Sequence, residues 1–342
     1  MPEQVLYRAD GGHPIGMGHI MRGLRVGAEL RRRQLEVVFA TTPNAASLDH
    51  LHRAGFVTRL LPGGLSEEAE ARALASYVKE LGTRVVVVDR LDTSTAIMRA
   101  LRETGARLAS LDDLGPGRLE AHLLINILVE EPEAEAVRQR GIRLLEGPAY
   151  ATVSPDEVAA DPRPTPEVAK HILVTLGGAD DQGLTVKVAD ALALIPEPLT
   201  ATFVAGPAFA HTDELARKLR NASYAHCLNR NVPSLLPLLR GSDLAVVAGG
   251  LTMFEAALTG TPAIAVSQPV AHQRWLAGRL QQAGVLWHAG VGTELSSDRL
   301  AGLIRRLMND RSARQAMAER GPRLVDGGGA GRVAEALQSL LA

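Results

Sequence analysis

The sequence predicts an α/β protein built from two Rossmann-like, doubly wound domains that face each other across a cleft. Three observations predict it. Short β-rich runs alternate with helix-like stretches, as in chains of βαβ units with parallel sheets. One run, "VVVV" at 85–88, is apolar on both faces, as buried parallel strands are. A stretch with four prolines and no clear period, 151–168, separates two such series.

In the first series the expected strands are 5–9, 35–41, 57–61, 84–89, 107–112, 123–128 and 143–147, with helices over 19–33, 44–54, 66–80 and 93–103. After the break, "HILVTLGG" (171–178) reads as a strand entering a glycine turn. Further strands are expected at 200–207, 225–229, 244–250 and 262–268. Helices are expected near 181–194, 211–221, 232–240, 251–259, 271–283, 297–308 and 311–320, with an amphipathic helix over 331–342. The expected domains are 1–150, a linker over 151–168, 169–325, and a terminal helix within 326–342. At roughly 100–200 residues per domain, 342 residues fit two.

Composition narrows the function. A net charge of -1 argues against a nucleic-acid binder, and 3% aromatic residues are too few for a base-stacking platform. The one cysteine, Cys227, excludes an intramolecular disulfide and a cysteine-rich metal site. The first residues lack the charged start and apolar core of a signal peptide, and no apolar run approaches the ~18 residues of a membrane span. The expectation is a soluble, cytoplasmic protein without stable membrane insertion.

Three strand-end loops carry the candidate chemistry. In "RADGGHPIGMGHIMR" (8–22), Gly11, Gly12, Gly16 and Gly18 fall within eight residues, and His19 sits where loop meets helix. Glycine lets backbone approach a ligand closely, and a helix start offers free N–H groups to an anion. A dinucleotide fingerprint is rejected: the spacing is not G-x-G-x-x-G, and the second strand ends in Thr41-Thr42 without a ribose-binding acid. A tight turn with His19 as a capping residue fits the spacing equally well. In "VAGGLTMFEAAL" (247–258), Gly249-Gly250 precedes a helix at Leu251-Thr252, which suits a diphosphate. Glu255, about one turn inside, suits two ribose hydroxyls or simply the helix dipole. In "VTLGGADDQGLT" (174–185), Gly177-Gly178 adjoins Asp180 and Asp181. A solvated loop fits that acid pair better than a metal site, since neither a histidine nor a third carboxylate stands at ligand spacing. A serine hydrolase is set aside for want of a G-x-S-x-G elbow.

The opening stretch resembles that of the PseG-type UDP-sugar hydrolases and their spore-coat polysaccharide relatives: a strand ending in Asp, a glycine-rich loop, then G-x-G-H-x-x-R. Here these are Asp10, Gly16, Gly18, His19 and Arg22. "LDDLGPG" (111–117), "LLEGPAYATVSP" (144–155), "LVTLGGAD" (173–180), the 247–266 stretch and "VDGGGAGRVAEAL" (325–337) agree in order. The resemblance implies the GT-B architecture, shared with the MurG glycosyltransferase, and hydrolysis of a UDP-linked amino or deoxy sugar such as UDP-2,4-diacetamido-2,4,6-trideoxy-β-L-altropyranose, without a cofactor or metal. It implies His19 as the base, with Asp10 orienting the imidazole or the water. Substrate contacts fall to Gly16, Gly18, Arg22, Gly177, Gly178, Gly249, Gly250, Leu251, Thr252, Glu255 and Gln273. Departures are Arg90-Leu91, where the family often has an aromatic or His-Tyr pair, and His272 in "AHQRW"; His13 is a further sugar-side candidate. The alternatives are a GT-B glycosyltransferase passing the sugar to an acceptor hydroxyl, and a non-catalytic nucleotide-sugar binding protein.

Overall fold

A computed structural model describes residues 3–12, 15–153, 164–206, 208–230 and 232–342. His13 and most of the expected linker lie outside the described residues.

The chain forms two compact units: Met1–Val153 with Gly328–Ala342, and Ser154–Gly327. The first holds a seven-stranded sheet of β1 (Gln4–Ala9), β2 (Glu36–Thr41), β3 (Val57–Leu60), β4 (Val85–Asp89), β5 (Arg107–Leu111), β6 (Leu123–Asn126) and β7 (Arg143–Glu146). Their order is β3-β2-β1-β4-β5-β6-β7, every pairing parallel. Helices α1 (Gly18–Arg32), α2 (Ala45–Arg53), α3 (Glu67–Leu81), α4 (Thr95–Arg102) and α5 (Ala134–Gln139) lie between the strands in sequence.

The second unit repeats the plan with β8 (His171–Thr175), β9 (Thr200–Ala205), β10 (Ala225–Arg230), β11 (Leu244–Ala248), β12 (Ala263–Ser267) and β13 (Trp287–Val291), ordered β10-β9-β8-β11-β12-β13 and again parallel. Its helices are α6 (Leu184–Ala193), α7 (Thr212–Arg220), α8 (Leu236–Gly241), α9 (Leu251–Thr259), α10 (Ala271–Gln282), α11 (Ser297–Asn309) and α12 (Arg311–Leu324).

Burial explains the pattern. All five residues of β4, β11 and β12 are buried, whereas edge strands β3 and β10 are largely exposed. Central parallel strands are covered on both faces, so they read as unbroken apolar runs. Each fully buried valine of β4 contributes about 1.5–3 kcal/mol over an exposed one. Helix starts are set by side-chain caps: Asn44 on Ser47 N, Ser66 on Ala69 N, Ser94 on Ile97 N, Ser296 on Arg299 N and Asp310 on Ala313 N.

The last helix, α13 (Gly329–Gln338), returns to the first unit and packs on α1. Arg33 Nη2 donates to Gly331 O at 3.2 Å, and Arg332 Nη1 to Ala149 O at 2.8 Å. Gly329 lies against the backbone of Ala151 with no room for a Cβ.

In each sheet the strand order reverses once, between β1 and β4 and between β8 and β11. Doubly wound sheets bind ligands outside the carboxyl ends of the strands at this reversal. The loops leaving those four strands are where the chemistry is expected.

Candidate functional site

In the first unit, the loop after β1 is pinched by two backbone hydrogen bonds, Gly12 N to Gly16 O at 2.9 Å and Gly16 N to Gly12 O at 2.6 Å. Both residues have positive φ, +110° and +77°, which only glycine adopts without cost. The pinch starts α1 at Gly18. A Cβ at Gly16 or Gly18 would meet open space, so the backbone here is accessible.

His19 and Arg22, three residues apart, share one face of α1. Both meet Asp89, the last residue of β4, which is paired in register with Ala9 of β1. His19 Nδ1 lies 2.6 Å from Asp89 Oδ1, Arg22 Nε donates to Oδ2 at 2.8 Å, and Tyr7 Oη donates to the same oxygen at 2.7 Å. Arg22 Nη2 also donates to Asp89 Oδ1, and its Nη1 to Asp112 Oδ2. Asp112 has a positive φ of 49° and accepts the backbone N–H of Ile127 at 2.6 Å and of Leu128 at 2.7 Å.

Electrostatics fix the charge states. Burial by itself would raise the Asp89 pKa, but the Arg22 charge and the His19 and Arg22 hydrogen bonds outweigh it and hold the carboxyl well below the usual range. Burial likewise opposes the Arg22 charge, and Asp89 and Asp112 more than restore it. Burial, with Asp89 alongside, pushes Tyr7 up, so it stays a donor. Asp89 is therefore a fixed anion and a pure acceptor, which assigns the proton on the imidazole to Nδ1. In the neutral imidazole that tautomer leaves the lone pair on Nε2, and the His19 side chain is 21% exposed.

The structure corrects two expectations and removes one alternative reading. His19 makes no capping hydrogen bond at the start of α1. Asp10 does not hold the imidazole: its carboxylate turns towards β2, accepting from Thr42 N at 2.8 Å and Thr42 Oγ1 at 2.9 Å and pairing with Arg8 at 2.6 Å. Asp89 comes from β4, on the other side of β1, and takes that place. Arg22 is 1% exposed with all three guanidinium nitrogens on acids of the protein, so it braces Asp89 and Asp112 where a substrate contact was expected. Arg90 pairs with Glu70 at 2.9 Å, and Glu70 also binds the buried Arg8.

Burial opposes ionisation of Asp10, but Arg8 and Thr42 prevail and lower its pKa to about 2. A carboxyl depressed in the folded state contributes stability that is present above its unfolded pKa and is lost as pH falls towards the folded one. Asp10→Asn is therefore expected to remove about 2 kcal/mol at pH 6 and to flatten the fall in stability between about pH 4 and about pH 2. Urea unfolding at both ends of that window checks it.

In the second unit the reversal between β8 and β11 brings two glycine turns together. Gly177 has φ +98°, and Gly178 packs so closely on Gly206 that a Cβ at 206 would strike its backbone. Asp180 caps α6, accepting Leu184 N at 2.9 Å and Thr185 N at 2.7 Å, and burial raises its pKa. Both its oxygens are thus committed to the fold. Among the described residues no group of three or more His, Cys, Asp or Glu side chains is placed to hold a metal ion.

A Cβ at Gly249 would lie 2.8 Å from Gln273 Cβ and 3.2 Å from Ser267 Oγ, so only glycine fits there. Gly250 is the N-cap of α9 and supplies no side chain, leaving the first turn at Leu251 and Thr252 uncapped. Gly250 itself faces open space. Glu255 lies one turn along α9 and is 7% exposed. Gln273 Oε1 accepts Gln268 N at 3.0 Å and so braces the loop after β12. An uncapped helix start behind two glycines is suited to an anionic group.

Reasoning from sequence missed Asp89, Tyr7 and Asp112 as members of the first constellation. The available signal was an aspartate closing the apolar run of β4.

No protein-family model matches the chain. It is 27% identical over 337 residues to the spore coat polysaccharide biosynthesis protein SpsG of Bacillus subtilis (strain 168), covering 97% of each. It is 24% identical over 236 residues to the UDP-2,4-diacetamido-2,4,6-trideoxy-beta-L-altropyranose hydrolase of Campylobacter jejuni, covering 68% of this chain and 81% of that protein. The crystal structure of Acinetobacter baumannii MurG superposes with a TM-score of 0.74 at 17% identity, covering 99% of this chain and 100% of that one. The fold is GT-B.

Proposed function

We propose that this chain, a GT-B protein related to SpsG, hydrolyses the anomeric C–O bond of a UDP-linked amino or deoxy sugar, with inversion, using His19 as the base. The observation that carries this reading is the pairing of His19 Nδ1 with a permanently ionised Asp89, which leaves Nε2 as a proton acceptor at the carboxyl end of the first sheet. The similarity to the Campylobacter hydrolase supports the substrate class.

Water bound at Nε2 gives up a proton to the imidazole as its oxygen bonds to the anomeric carbon. The bond from that carbon to the β-phosphate oxygen breaks, and its electron pair leaves with UDP. The imidazolium formed is stabilised by Asp89, which Arg22 and Tyr7 hold in place. In the second unit the backbone N–H groups of Leu251 and Thr252, behind Gly250, take the diphosphate and stabilise the charge that develops on it. Glu255 accepts the ribose hydroxyls. On this reading Glu255→Ala weakens UDP binding by about 10–100-fold, the worth of hydrogen bonds to a charged group, measured by calorimetric titration.

The decisive experiment incubates the protein with a panel of UDP-sugars, with and without acceptor alcohols, and follows free UDP. Release without acceptor is expected. Release only with acceptor would make the protein a transferase, and tight binding with no release in either arm would make it a binding protein.

A further inference from the structure

The second unit has a cavity of about 380 Å³ among the end of α10, the start of β13, and helices α11 and α12. It lies away from the glycine turns. Trp287, at its wall, pairs in register with Ile264 at the start of β12, whereas Gly249 follows the far end of β11. Leu286, Leu303, Ala316 and Met317 make the interior apolar, and Arg306 and Arg320 stand at its edge. The cavity opens to solvent at this edge, and its volume would take the body of a small molecule.

The polar members divide into two kinds. His288 Nε2 is hydrogen-bonded to Ser267 Oγ at 2.9 Å, and Gln281 Oε1 accepts His288 N at 2.7 Å, so both are engaged with the fold. The two guanidiniums differ. Among the described residues neither Arg306 nor Arg320 is in an ion pair or a side-chain hydrogen bond. Both are nonetheless held over the cavity. Arg306 Cζ sits 5.2 Å from the centre of the Trp287 ring, and Arg320 lies across Gly284, whose φ of +72° and missing side chain leave it room. Two forks of five N–H donors each, carrying two positive charges, match a phosphate monoester in charge and in oxygen count better than a carboxylate. The apolar interior and the indole call for an apolar or aromatic body on that phosphate.

We infer that this cavity is a second ligand site, for a small phosphate monoester with an aromatic or apolar body, held by Arg306 and Arg320 beside Trp287. The inference is independent of the hydrolase reading.

Trp275 and Trp287 are the two tryptophans of the chain. In a Trp275→Phe background the indole fluorescence therefore reports Trp287 alone. Phenyl phosphate is expected to give a saturable change and to bind at least tenfold tighter than inorganic phosphate. Arg306→Gln combined with Arg320→Gln is expected to weaken it at least tenfold, as is Ala316→Phe, which fills the cavity without touching the charges or adding an indole. Saturating UDP is expected to leave the titration unchanged. No saturable signal, equal affinity for inorganic phosphate, an unaltered titration in both sets of variants, or displacement by UDP would each overturn the assignment.

Discussion

His19→Ala is expected to slow release of UDP from the cognate UDP-sugar by about 10²–10⁴-fold, the usual contribution of a positioned general base. The expectation rests on one atom. Nδ1 is engaged with Asp89 at 2.6 Å, so Nε2 is the nitrogen that can take a proton from water. Alanine removes that acceptor and leaves Asp89 still neutralised by Arg22. The fold should survive, because the His19 side chain is partly exposed. The affinity for UDP should stay within a few-fold of wild type, since the nucleotide contacts are assigned to α9. A rate within a few-fold of wild type would end the base assignment. Lost UDP binding would instead point to a folding defect.

Asp89→Asn is expected to be comparably severe, about 10³–10⁴-fold in rate, for a different reason. Asp89 is 0% exposed and accepts from Tyr7, Arg22 and His19 at once. A carboxamide has one acceptor end and one donor end, so its NH₂ must face either Tyr7 and Arg22 Nε or the imidazole and Arg22 Nη2. If it faces the imidazole, the proton moves to Nε2 and the base is lost; a wrong-tautomer substitution of this kind costs about 10⁴ in serine proteases. In either orientation the neutral amide removes half of the compensation of the buried Arg22 cation, and breaking such a pair costs about 3–5 kcal/mol. Retention of the Arg22–Asp112 bond puts the loss at the low end of that range. Chemical unfolding reads the lost charge compensation, and the UDP-release rate reads the lost orientation of the imidazole. Wild-type values of both would show that Asp89 does not orient His19.

Much of the fold was written locally. The four valines of β4, the serine and asparagine caps, and the glycine turns after β1, β8 and β11 each declare themselves within a few residues. Two elements did not. α5 is six residues long and β13 reads "WHAGV", with two small residues and a histidine, so neither carries enough period or β-branching to stand out. The linker expectation could not foresee that α13 belongs with the first unit, because that is a tertiary contact.

The site was half legible for a similar reason. His19 and Gly249-Gly250 sit in motifs that a strand, a turn and a helix announce. The carboxylate on His19 is 70 residues away in sequence, and its identity depends on β4 lying beside β1. Asp10 is nearer in sequence, but the chain leaves β1 with that side chain aimed at Thr42. Sequence proximity pointed to Asp10, whereas strand order brings Asp89 to the imidazole. Arg22 lies in the same motif as His19, and whether a guanidinium reaches out to a ligand or inward to two buried acids is decided by packing.

The return of α13 to α1 makes the first unit discontinuous, with the whole second unit inserted between residues 153 and 328. A nascent chain that has emerged only as far as β7 still lacks the helix that covers one side of α1, the element bearing His19 and Arg22. The unit that bears His19 is thus completed last although most of its residues are translated first. A fragment cut at the natural-looking boundary near residue 150 would lack α13, and with it the bonds from Arg33 to Gly331 and from Arg332 to Ala149.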